Sequence, residues 1–130
     1  MANFKKHLVT GAIAGAICGA IYVIVQYFRR RKKNPSCRFN WNDLITTFFM
    51  GYGLGAISGI TADRLEPSLH CNHRKFFHSY AFWMIIGYIA IQVITGSSKI
   101  AWKKMALISF AGYSSHLILD YHTPKSLPVI

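Results

Sequence analysis

Acidic residues are scarce in this chain: Asp and Glu number 4 against 15 Lys and Arg, and charged residues of either sign make up only 15% of 130 residues. An ordinary soluble domain carries about 25%. Apolar residues reach 52%, while a soluble fold this small buries only about two thirds of its unfolded surface, too little to hide so many Ile, Phe, Trp and Tyr side chains. The balance speaks against a soluble domain and predicts a single membrane domain over residues 1–130.

Cysteine is sparse as well. Cys18, Cys37 and Cys71 lie far apart without CxxC spacing, so neither a redox pair nor a zinc knuckle is expected. No HExxH motif points to a metallopeptidase and no nucleophile elbow to a serine hydrolase. Ser79 and Ser115 adjoin histidines, but neighbours in sequence rarely form a triad. No internal repeat or low-complexity segment is evident beyond the glycine spacing described below.

A formal charge of +11 invites a nucleic-acid partner. The bases are not spread along a face, however: six of the 15 lie from Arg29 to Arg38, directly after an apolar run. That is the look of a membrane-flanking loop, so nucleic acid is not the expected partner.

Residues 8–28 carry no charge and are nearly all apolar or small, which predicts a first transmembrane helix. A cleaved signal peptide is the rival reading. The run is longer than a signal core, and Arg29, Arg30, Arg31, Lys32 and Lys33 follow it as a stop-transfer block. Asn34-Pro35-Ser36 breaks this helix, and Asn40 or Asn42 is placed to cap a second over residues 44–60. A third is expected over 76–94, ended by Gly96, and a fourth over 105–121, stopped by Pro124. The expected fold is thus all-α, an integral membrane four-helix bundle.

Gly11, Gly15 and Gly19 in the first span and Gly51, Gly55 and Gly59 in the second each form a doubled GxxxG pattern. Glycines four apart let helix backbones approach closely in lipid. They are expected to be contacts within the bundle, with a homo-oligomer or a membrane partner as the other use of the same faces.

With four crossings, one side carries nine basic residues, the block at 29–33 with Arg38, Lys99, Lys103 and Lys104, and the other carries six. The positive-inside bias sets the first side in the cytoplasm and both termini outside. All six histidines and three of the four acids fall on the opposite side: His7, Asp63, Glu66, His70, His73, His78, His116, Asp120 and His122. Asp43 is alone at the other end. Ionisable groups at membrane depth are costly unless they pair, meet water or bind a cation. Imidazole and carboxylate together suit a divalent ion such as Zn²⁺, Mn²⁺ or Fe²⁺, so a metal cluster at one end of the bundle is expected. His116 and Asp120 are four apart, on one helical face; Asp63 and Glu66 are three apart.

The stretches that carry these residues are His7 before Leu8-Val9-Thr10-Gly11, Asp63-Arg64-Leu65-Glu66-Pro67, His73-Arg74-Lys75-Phe76-Phe77-His78, and Ser115-His116 with Asp120 four residues on. In this order they resemble the YdjM-like family of small bacterial inner-membrane proteins described as membrane-bound metal-dependent hydrolases. The likeness spans most of the chain. Ala62 stands where that family usually has proline, and Lys75 where it has glycine.

The resemblance implies kinship with zinc-dependent phospholipases C and related nucleases, and with it phosphoester hydrolysis by metal-activated water. It makes His7, Asp63, His73, His78, His116 and Asp120 metal ligands and Glu66 a ligand or general base. Arg74, planar and permanently charged beside two such ligands, is the candidate to grip a phosphate oxygen. Seven ligands exceed the four that one zinc takes, so two or three ions are conceivable.

A site at the ends of membrane helices lies at headgroup depth, which makes membrane lipids the expected partners and a phospholipid or lipid-linked phosphate the expected substrate. Trp83, Trp102, Tyr80, Tyr88 and Tyr121 are candidate interfacial anchors. The rival class is a non-catalytic membrane subunit, which binds or transports a metal ion or uses it only to tie helix ends together.

Overall fold

The computed structural model describes residues 2–65, 77 and 79–121, and four helices account for nearly all of them: α1 (Ala2–Lys33), α2 (Trp41–Leu65), α3 (Tyr80–Thr95) and α4 (Ile100–Tyr121). Among the described residues there is no strand, and the all-α expectation holds.

Local chemistry sets the helix ends. α1 runs past the expected residue 28 and takes Arg30, Arg31, Lys32 and Lys33 into its last turn, where cations meet the negative end of the helix dipole. It stops before Pro35, which disfavours helical backbone in the residue preceding it. Asn34 then turns the chain, its side-chain oxygen accepting from the Ser36 amide at 3.1 Å. Of the two candidate caps for α2, Asn40 makes the bond, accepting from the Asp43 amide at 3.1 Å.

α2 starts earlier and ends later than the expected 44–60, so Asp63 lies in its last turn. α3 is capped by Ser79, whose hydroxyl accepts from the Phe82 amide at 3.2 Å; the expected start at 76 lies outside the described residues. α4 begins at Ile100 rather than 105, so Lys103 and Lys104 belong to the helix and not to the preceding loop. Lysine is a good helix former whose long stem lets its charge reach the surface, so neither residue marks a helix end.

α1, α2 and α4 pack on one another, while α3 lies against α4. The α1–α2 seam is antiparallel and made of glycine: Gly11 meets Gly55 and Gly59, Gly15 meets Gly51 and Gly55, and Gly19 meets Thr47. A Cβ at Gly55 would strike the Gly11 carbonyl and stand 2.8 Å from the Gly15 Cα, closer than van der Waals contact allows. The two GxxxG faces therefore cover each other within the chain. α4 joins parallel to α2 through Gly112, which abuts the Gly55 carbonyl and the Ser58 side chain.

The outward faces are apolar. Ile13, Ile17 and Ile21 form an exposed stripe on α1, and Met84, Ile85, Tyr88 and Ile89 do the same on α3. In water, continuous apolar surface of this kind is an aggregation hazard; against lipid it is the normal exterior. Two helices, Phe4–Lys33 and Trp41–Leu65, are long and apolar enough to cross a membrane by length and composition. α3 is apolar but has 16 residues, about 24 Å of helix against a hydrocarbon layer of about 30 Å.

Candidate metal centre

The glycine seam has a consequence at one end of the bundle. Gly11, Gly59 and Gly112 converge: a Cβ on Gly59 would lie 3.0 Å from the Gly11 Cα, 3.5 Å from the Gly112 carbonyl oxygen and 2.9 Å from that of His7. Each of these glycines is one helical turn from an ionisable residue, Gly11 from His7, Gly59 from Asp63 and Gly112 from His116. The three-way approach of bare backbones thus seats the next turn of each helix so that its polar side chain turns into the same space.

His7 and His116 are in ring contact, with centroids 4.1 Å apart and planes tilted by 42°. The Asp120 carboxylate lies between their Nε2 atoms: Oδ1 is 3.4 Å from that of His7 and Oδ2 is 3.4 Å from that of His116. Asp63 Oδ1 approaches His116 Nε2 from α2 at 3.8 Å. His7, Asp63 and His116 each offer one ligand atom within 4.8 Å of the others. His116 is fully buried, Asp120 and His7 nearly so, and Asp63 keeps 24% of its side chain exposed, which makes it the exposed edge of the group.

The donor set fits a divalent ion. Two donors about 2.1 Å from one zinc at the tetrahedral angle stand about 3.4 Å apart, which is the separation Asp120 makes with both imidazoles. An ordinary N–H···O bond would be shorter, about 2.7–3.2 Å. The residues of this group are the kinds that could hold a divalent ion.

Of the expected site residues, His7, Asp63, His116 and Asp120 are brought together, from three helices and from positions as far apart in sequence as the chain allows. Glu66, His73, Arg74 and His78 lie outside the described residues, as do His70 and His122. Both serines beside histidines have structural work: Ser115 donates to the Gly112 carbonyl at 2.7 Å and Ser79 caps α3. Neither is thereby set up as a nucleophile.

Three contributions escape the sequence reading. Gly112 stands outside any GxxxG pattern, yet it brings α4 into the site. Tyr113 donates its hydroxyl to the Phe77 carbonyl, holding the chain before α3 against α4; nothing in the sequence signals this pair. At the opposite end Asp43, expected as the one acid on that side, has a basic partner: Lys104 donates to its carboxylate and to the Thr47 hydroxyl, the latter at 3.0 Å. The signal that existed for that contact was a lone acid and a lysine on the same side.

Comparison with known proteins adds one match. A family model described as YdjM inner membrane protein covers residues 42–130, well over half the chain. It takes in Asp63, His116 and Asp120 and leaves out α1 with His7. No curated protein and no solved structure matches the chain. With its family match joined to two helices fit to cross a bilayer, this membrane protein belongs to the YdjM inner membrane protein family.

Proposed function

We propose that the protein is a multi-pass membrane hydrolase that uses a divalent metal, zinc above others, to cleave phosphoesters at lipid-headgroup depth. The single observation that carries this reading is the group of His7, Asp63 and His116, with Asp120 bridging both imidazoles, at one end of an otherwise apolar bundle. Imidazole and carboxylate groups gathered from three helices are the ligand types a divalent ion takes, and this supports cation binding as the function of the cluster.

His7, His116 and Asp63 would hold the ion, and Asp120 would either complete the set or fix the two rings in place. A bound divalent ion supplies an acidified water and polarisation of a phosphoryl oxygen. Asp63, at the exposed edge, marks the side from which substrate and water arrive. Glu66 follows Asp63 by three residues and His73, Arg74 and His78 follow within fifteen; on sequence grounds they add a base, further ligands for a second or third ion, and a phosphate grip. The basic block at 29–33, at the opposite end, supports a non-cytoplasmic face for this end.

A second reading draws on the complete burial of His116: a closed site that ties three helix ends together without catalysis. Elemental analysis of the detergent-purified protein, alongside Asp63→Ala and His116→Ala, tests both. Bound zinc lost in the variants, together with metal-dependent hydrolysis of a phosphodiester such as phosphatidylglycerol, is the expected result. Bound metal with no hydrolysis of any lipid phosphoester leaves the structural reading, and the absence of metal overturns both.

A further inference from the structure

The opposite end of the molecule holds a groove that the metal centre does not use. It has a volume of about 760 Å³ and lies between the second half of α1 and the start of α4, with the end of α3 alongside. Its mouth is cationic, lined by Arg29, Arg30, Lys32, Lys33 and Lys103. Its floor is apolar, made by Ile21, Tyr22, Val25, Ile94 and Leu107. Among the described residues no acid lines it, and Asp43, the one described acid at this end, is engaged by Lys104.

We infer that this groove binds an anionic phospholipid, with the phosphate among the cations and an acyl chain along the floor. The chemistry is two-part, and both parts are ordered along one helix. On α1 the lining residues change from apolar to cationic between Val25 and Arg29, one turn apart, as a membrane lipid changes from chain to headgroup. From Cys18 to Lys33 the groove follows α1 for about 22 Å, enough for the acyl layer of one leaflet, about 15 Å, and a headgroup beyond it. A free phosphate would satisfy the mouth alone, and a zwitterionic lipid brings a cation of its own among five others. Basic pockets between membrane helices on the cytoplasmic side are suited to anionic headgroups.

The seam explains why the groove is here and not at the other end. Glycines draw α1 and α2 together from Gly11 to Gly19, and α4 closes on them through Gly112. No glycine of α1 beyond Gly19, or of α4 before Gly112, continues that approach, so larger side chains hold these two helices apart.

The test uses the full-length protein in detergent and native mass spectrometry with equimolar dioleoylphosphatidylglycerol and dioleoylphosphatidylcholine. The wild type is expected to retain phosphatidylglycerol selectively. Arg29→Gln with Lys103→Gln is expected to lower that retention about 30-fold, two cations near an anionic headgroup. Arg31→Gln with Arg38→Gln removes the same charge from residues that do not line the groove and is expected to change it less than about twofold. Equal losses in the two double variants would overturn the site in favour of diffuse surface attraction. Val25→Trp, which fills the floor and keeps every cation, is expected to reduce retention as well; unchanged retention would count against the groove. Displacement of the lipid by excess glycerol phosphate would overturn the lipid as occupant. A thermal melting curve of each variant reports on folding, so the result stands independently of the proposed metal centre and its hydrolysis.

Discussion

At one end of the bundle, four ionisable side chains from three helices meet, three of them buried and Asp63 at the exposed edge. At the other, cations outnumber acids and stand in the open, and Asp43 with Lys104 is the pair drawn partly inward. Both ends belong to the same three helices, so neither composition nor helix propensity accounts for the difference. What changes along the bundle is how closely the backbones approach. Where Gly11, Gly59 and Gly112 meet, helices touch at their main chains, and of the side chains one turn further on His7 and His116 are buried while Asp63 keeps 24% of its side chain exposed. Where Ile21, Val25 and Leu107 stand between them, the helices keep a groove and the charges stay solvated. The lesson is that small residues in a membrane bundle can build a polar site indirectly, by removing the space through which a polar group would otherwise escape.

The sharpest way to break this comparison is at the buried end. His116→Ala should lower metal affinity at least about 100-fold, with a parallel loss of thermal stability in metal-replete buffer; isothermal titration with zinc into stripped protein reads the first and a melting curve the second. Asp120→Asn should cost less, about 10-fold to 100-fold in affinity, if the carboxylate chiefly orients the two imidazoles. A loss equal to that of His116→Ala would make it a ligand instead.

The link from seam to site is tested next. Gly59→Ala should destabilise the fold by about 1–3 kcal/mol, because the new methyl meets the His7 carbonyl and the Gly11 backbone. It should also weaken metal binding without touching a ligand. Gly53→Ala, whose Cβ meets nothing within 4 Å, is the matched control and should be neutral or slightly stabilising. Equal effects of the two would dissolve the connection between glycine packing and the metal centre.

The smallest effects are expected at the basic end. A double-mutant cycle of Asp43→Asn and Lys104→Gln should give a coupling of about 0.5–1 kcal/mol, since both side chains keep some exposure. Arg31→Gln, which loses an exposed hydrogen bond to the Tyr27 hydroxyl and a cation–π contact with its ring, should change stability by less than about 0.5 kcal/mol. A coupling at Asp43 as large as the cost of Gly59→Ala would mean that the two ends are held by the same kind of contact.

Much of this protein was legible before its fold. Apolar runs bounded by Pro35, Gly96 and Pro124 announced the helices because breakers act locally, through backbone sterics that need no tertiary context. The segregation of histidines and acids was visible because membrane crossing imposes sides on a chain. Helix ends were less legible: α1 runs on to Lys33 and α4 begins at Ile100 because charged residues with long apolar stems continue a helix into the interface as readily as they end it.

By itself, then, the sequence determined an apolar all-α chain, its glycine faces, and the placement of His7, Asp63, His116 and Asp120 toward one end, all properties of local composition and spacing. Only the tertiary structure decided that the two glycine faces meet each other, that α3 stands aside against α4, and that His7 touches His116 across more than a hundred residues of chain. The physical reason is that close packing depends on which surfaces fit together in three dimensions. A glycine such as Gly112, outside any repeated pattern, gains its role only from the backbone it meets.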